Sequence, residues 1–162
     1  MDDKRDDPPP SFPERALLIR RAAARLCLAL GWVPLHEVTL PNWRRADILA
    51  LRPDGGFACI EVKSGPRDFL TDTKWPEYRD CCDALYFAVD ADFPHDLLPE
   101  TAGLIVAAEL EAVLVRDAPT HRLPPATRRA LTQRFATLAA LRLATLEDPA
   151  GTVALRTALR AD

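Results

Sequence analysis

Arg45-Ala46-Asp47-Ile48-Leu49-Ala50-Leu51, then Arg52-Pro53-Asp54-Gly55-Gly56, then Phe57-Ala58-Cys59-Ile60-Glu61-Val62-Lys63 decide the fold. Two apolar runs flank a Pro-Asp-Gly-Gly cluster, the clearest turn signal in the chain, so the stretch reads as a β-hairpin. Side chains alternate faces along a strand. Glu61 and Lys63 therefore share one face, and Ile60 and Val62 point the other way, into a core. The hairpin brings Asp47 of its first strand alongside. Charges on an otherwise apolar strand are an anomaly in a purely structural account.

Upstream, Ser11-Phe12-Pro13-Glu14 has the form of a capping box with proline near the first helical position. A helix is expected from there to about Leu30, stopped by Gly31, with Ile19, Ala22, Ala23, Leu26 and Leu30 as its apolar stripe. Pro34–Leu40 is a strand, and Pro41-Asn42 a turn. Downstream of the hairpin, a second helix is expected to begin near Trp75 and reach about Cys82, because Pro76 is tolerable only in a first turn. Asp83–Val89 is a fourth strand. Gly103–Ala108 and Ala112–Arg116 read as a closing pair. Pro124-Pro125 opens a long helix to about Leu146, seamed by Leu131, Phe135, Leu138 and Leu141. The expected organisation is a disordered charged and proline-rich tail over residues 1–12, a single domain over 13–146, and a C-terminal tail or short helix over 147–162. The fold class is α/β.

Composition narrows the function classes. The chain has 162 residues, 48% of them hydrophobic, enough for one domain with a real core. No apolar run approaches the ~20 residues of a membrane helix, and the N-terminus lacks the apolar core of a secretory signal, so a cytoplasmic protein is expected. Cys27, Cys59, Cys81 and Cys82 form no C-x-x-C pair, and no histidine stands at zinc-finger spacing from them. Buried thiols in a reducing compartment follow. A net charge of -3 argues against nonspecific coating of nucleic acid but leaves room for local grip through clustered arginines.

Two carboxylates and a lysine converging at the end of a hairpin suit a hard divalent cation. Mg²⁺ takes one or two carboxylates, keeps several waters and leaves room for a substrate phosphate. Lys63 would stabilise developing charge. Glu-x-Lys alone is a weak signal, expected by chance in about one of two chains of this length; its weight comes from the hairpin and from Asp47. Arg44 and Arg45 at the hairpin mouth, Arg67 after the Glu61–Lys63 strand and Lys74 at the next helix start are the nearest candidates for phosphate contact. Trp43, in a turn beside Arg44 and Arg45, is expected to be exposed and is a candidate for contact with substrate; Trp75 is expected in the core.

Asp47 followed by Glu61-Val62-Lys63, on a helix, three-strand meander and helix, is similar to the PD-(D/E)XK nuclease superfamily. Arg44-Arg45-Ala46-Asp47-Ile48, Glu61-Val62-Lys63-Ser64, Lys74-Trp75-Pro76-Glu77-Tyr78, Cys82-Asp83 and Tyr86-Phe87-Ala88-Val89 together resemble one branch of it, the MmcB-type bacterial DNA repair proteins. The likeness covers about residues 14–146. It implies a restriction-endonuclease-like core and a DNA repair nuclease dependent on Mg²⁺ or Mn²⁺. Asp47, Glu61 and Lys63 would be catalytic; Asp47, Glu61 and the Val62 carbonyl would hold the metal. The implied partners are DNA and other repair proteins, with no membrane. Alanine stands at position 46 where the superfamily's name-giving motif has proline. The carboxylate that the first helix often adds would fall to Glu14, at that helix's very start, or to Glu37 on the first strand. Some members carry a glutamine four residues before a tyrosine beyond the lysine strand; Lys74 and Tyr78 stand at that separation, which makes both DNA-contact candidates. The alternative is a non-catalytic DNA- or partner-binding module that keeps the nuclease scaffold.

Overall fold

The computed structural model describes residues 10–158. The tail expected over residues 1–12 therefore lies, up to residue 9, outside the described residues, as do the last four residues. The backbone N–H and hydroxyl of Ser11 donate to the Glu14 carboxylate at 2.8 and 2.7 Å, which fixes the start of α1, Phe12–Ala29. Its end is a Schellman motif: Trp32 N–H donates to the Cys27 carbonyl and Gly31 N–H to that of Leu28, with Gly31 left-handed at φ 73°.

Six strands form one mixed sheet in sequence order: β1 Val33–Thr39, β2 Arg45–Leu51, β3 Phe57–Lys63, β4 Ala84–Asp90, β5 Gly103–Ala108 and β6 Glu111–Arg116. β1, β2 and β3 are an antiparallel meander. β3, β4 and β5 run parallel, and β6 returns antiparallel to β5. The strands thus match the sequence expectation to within a residue at each end.

The β3–β4 crossover differs from expectation. The helix expected from Trp75 to about Cys82 is present over Trp75–Cys81, but as 3₁₀, and a helix that was not expected, α2, precedes it at Pro66–Thr71. Pro66 opens α2 at its first position, and Asp72 ends it in an extended conformation. Pro76 then has no N–H to donate, and the short remainder takes the tighter 3₁₀ form. Between them they cover one sheet face, with Phe69 and Trp75 set edge-on to Phe87 at 5.3 and 5.5 Å between ring centroids.

The other face packs on α1. Ile48, Ala50, Ala58, Ile60, Tyr86 and Ile105 meet Ile19, Ala22, Ala23 and Cys27 there, the alanines letting helix and sheet approach closely. Asp83 joins the starts of β3 and β4: its buried carboxylate accepts the Phe57 N–H at 2.7 Å, and its own N–H donates to the Phe57 carbonyl. All four cysteines are buried and free. The chain divides into two compact units, residues 1–122 and 123–162. In the second, α3 spans Pro125–Glu147 and α4 Pro149–Ala158. Of the expected α3 seam, Leu131 and Phe135 are buried, whereas Leu141 is exposed. No helix among the described residues is long and apolar enough to cross a membrane.

Candidate metal and nucleic-acid site

The β2–β3 ladder is regular from Leu51↔Phe57 to Ile48↔Ile60. One step further the side chains intervene. Val62 N–H donates to Asp47 Oδ2 at 2.8 Å, and Asp47 N–H donates to Glu61 Oε1 at 3.4 Å. Each strand thus gives a main-chain donor to a carboxylate at this end of the hairpin, so backbone geometry places both acids. A cleft of about 450 Å³ opens here, with Asp47, Glu61, Val62 and Lys63 along its floor. Trp43, Arg44, Arg45, Asp68 and Tyr78 line the rest. It lies beyond the carboxyl end of β3, beside parallel β4, where open α/β sheets hold their ligands.

Burial sets the electrostatics. The Glu61 carboxyl is pushed up to about 8, first by loss of water and then by the Asp47 charge; Lys63 and the Asp47 N–H oppose the shift. Asp47 is raised as well, by desolvation foremost, against the stabilising Val62 N–H, with Glu37 adding to the rise. Lys63, whose side chain is 6% exposed, pairs with Asp72 at 2.6 Å. Desolvation works against the Asp72 anion, but the Lys63 ammonium and the Lys74 N–H outweigh it and hold that carboxyl below its usual range. The site therefore holds two acids in excess of their immediate counter-charge, at positions that water cannot fully stabilise. Such a donor set fits a divalent cation, which needs only one or two carboxylates from the protein.

The remaining sequence candidates are distributed unevenly. Glu37 is left-handed at φ 51° and bonded by Arg20 and by Arg45. It shares with Asp47, Val62 and Arg20 a second recess of about 370 Å³ on the α1 side, not the cleft that holds Glu61. Among the described residues there is no group of three or more His, Cys, Asp or Glu side chains placed to hold a metal. Glu14 is engaged by Ser11 at the start of α1. Arg44 is held through two hydrogen bonds by Glu77, at 2.6 and 2.9 Å, and its side chain is partly buried; that of Arg45 is 69% exposed. Arg67 and Lys74 are exposed and are not among the residues that line the cleft. Tyr78 is buried, its hydroxyl donating to the Arg45 carbonyl at 3.1 Å, so it supports the cleft wall and its ring is closed to a base.

Sequence reasoning missed Asp72 and Asp68. Asp72 carries a local signal: its Oδ1 accepts the N–H of Lys74, two residues on, at 2.9 Å, an Asx turn that its place before a proline-bearing segment suits. Nothing local aims its other oxygen at Lys63; only the short α2 does. Asp68 accepts the Ser64 N–H and hydroxyl, bracing the chain as it leaves β3.

A family model described as DNA repair protein MmcB-like matches residues 5–150. A solved structure of a protein of unknown function from Silicibacter pomeroyi is similar to this chain, with 42% sequence identity and a TM-score of 0.81. The alignment covers 85% of this chain and 94% of that one. No curated protein matches.

Proposed function

The chain belongs to the MmcB-like family of DNA repair proteins, and from that premise we propose that it is a divalent-metal-dependent nuclease of the PD-(D/E)XK kind that hydrolyses DNA phosphodiester bonds. The observation that carries this reading is the pairing of Asp47 and Glu61 through each other's strands in one cleft with Lys63. The meander, the parallel step into β4 and the covering α1 agree with a restriction-endonuclease-like core.

Asp47 and Glu61 would hold the cation, Mg²⁺ or Mn²⁺, with the Val62 carbonyl as a further donor. When bound, the cation supplies electrophilic stabilisation of phosphate charge and eases deprotonation of water. Lys63 brings a fixed ammonium to the rim of the two carboxylates, where charge accumulates on the scissile phosphate. Asp72 orients that ammonium, and Tyr78 fixes the Arg45 backbone at the cleft wall. Arg45, and Arg44 if it exchanges Glu77 for phosphate, position the backbone without reading sequence.

The second reading is a module that holds DNA and does not cut it. The observation on its side is that Glu37, the further candidate ligand, is taken by two arginines. One assay separates the two: incubation with nicked, single-stranded, branched and blunt DNA in EDTA, Mg²⁺ and Mn²⁺. Metal-dependent cleavage supports the nuclease. Binding without cleavage under every condition leaves the module.

Grip on phosphates has its own test. The protein is acidic overall, so DNA must meet positive potential locally. The double change Arg45→Ala with Lys74→Ala should weaken binding equally for unrelated sequences and flatten the slope of log affinity against log salt by about one to two units. The melting temperature should hold, since exposed charges contribute little. An unchanged salt slope in a titration would move the DNA surface away from this cleft.

A further inference from the structure

Two loops of this meander have the same construction. In Arg52-Pro53-Asp54-Gly55-Gly56, Gly55 N–H donates to the Arg52 carbonyl and Arg52 N–H to that of Gly56. Asp54 accepts the Gly56 N–H. In Leu40-Pro41-Asn42-Trp43-Arg44, Trp43 N–H donates to the Leu40 carbonyl and Leu40 N–H to that of Arg44. Asn42 accepts the Arg44 N–H. Both are three-residue loops, a proline-led turn followed by one left-handed residue. At that position the far loop has Gly55, φ 78°, and the loop at the cleft has Trp43, φ 65°.

A bulky side chain in the left-handed region is a true outlier; such residues persist where the surrounding structure over-determines them, and they cluster at binding and active sites. Trp43 gains no burial in return: it is 83% exposed, although tryptophan is among the most buried side chains on average. Asn42 also ties the loop to the Glu77 carbonyl at 2.9 Å, so the indole is mounted on a braced turn. It lines the same cleft as Arg44, Arg45, Asp47, Glu61 and Lys63.

We propose that Trp43 is a stacking platform for an unpaired base, and that the cleft therefore takes DNA with single-stranded character at the site. A flat, exposed indole on a positively charged groove is a recurrent element of single-strand recognition, and Trp43 stands next to Arg44 and Arg45. In a blunt duplex both faces of each interior base are already stacked, so the indole would find no partner there. The inference rests on the reading of the cleft as a DNA-holding site, but not on its cutting DNA.

The test uses the full chain in EDTA, with fluorescence anisotropy on a labelled oligothymidylate strand and on a blunt duplex of equal length. Trp43→Ala should weaken single-strand binding by roughly tenfold to a hundredfold, the scale of one stacked base, and leave the duplex within about twofold. Trp43→Phe should retain most of the single-strand affinity. Trp43→Gly should lose it while melting no lower than the wild type, because glycine relieves the left-handed turn. Equal losses on strand and duplex, no loss on the strand, or a lowered melting temperature for Trp43→Gly would each overturn the proposal. So would a wild type that binds no single strand. A wild type that binds the strand through Trp43 and never cleaves would overturn the nuclease reading alone.

Discussion

Lys63→Ala should reduce Mg²⁺-dependent cleavage about a hundred- to a thousandfold, and Glu61→Gln about a thousandfold or more, with the fold intact in both. The lysine figure is the scale for removing one fixed positive or hydrogen-bonding group aimed at developing charge. The glutamate figure is the several kcal/mol that a mispositioned metal would withdraw from the transition state, at about 1.36 kcal/mol per decade. The two changes differ in a second readout. Lys63→Ala leaves both carboxylates in place, so Mn²⁺ should still bind and still raise the melting temperature. Glu61→Gln removes a ligand charge and should weaken that shift. Asp72→Asn, which loosens the ammonium and leaves the acids untouched, should fall between wild type and Lys63→Ala in cleavage rate, with metal binding unchanged. A Lys63→Ala protein that cleaves at the wild-type rate would remove the lysine from the chemistry. One that no longer folds would show that the buried Lys63–Asp72 pair, at 2.6 Å, is chiefly structural.

The β2–β3 hairpin was legible because two independent signals coincide in it. Residue alternation puts Glu61 and Lys63 on one face, and Pro53-Asp54-Gly55 permits one loop geometry, which fixes the register that brings Asp47 near. The end of α1 was legible for a similar reason: Gly31 answers a backbone requirement, φ 73°. The crossover was not. Six residues of α2 are too few to show helical periodicity, and they are helical through Pro66 at the first position and Phe69 buried below. Lys63's partner was hidden with it, since Asp72 reaches the ammonium only because α2 turns the chain back. The position of Glu37 was also out of reach. Nothing in Leu35-His36-Glu37-Val38 announces a left-handed residue within a strand, and that conformation hands its carboxylate to Arg20 and Arg45. Trp43 was legible as exposed, from its turn and its arginine neighbours. Its backbone strain was not, because tryptophan is the last residue a turn rule would place there.

Without metal, the protein should lose stability as the pH rises from about 4.5 to about 8. Glu61 in the folded protein keeps its proton up to about 8, whereas its ordinary value is 4.5. Through that window the folded state binds the extra proton, so the slope of unfolding free energy with pH is negative. The raised Asp47 acts in the same direction. Asp72, held below 3.8, acts oppositely: its contribution is present above that value and fades only at lower pH, outside the window. Glu61→Gln deletes the ionisation and should flatten the decline, leaving the variant more stable than wild type at pH 8 by on the order of a few kcal/mol. Mg²⁺ or Mn²⁺ should produce the same flattening in the wild type. The cation competes with the proton for the same oxygens, so its stabilising effect should grow across the window in which the proton would otherwise be held. Thermal unfolding of wild type and Glu61→Gln in EDTA and in Mn²⁺, from pH 5 to pH 8, checks all three expectations. Parallel pH profiles for the two proteins in EDTA would mean that Glu61 is ionised throughout. A wild-type profile indifferent to Mn²⁺ at pH 8 would mean that Asp47 and Glu61 hold no cation, and the metal-dependent mechanism would fall with it.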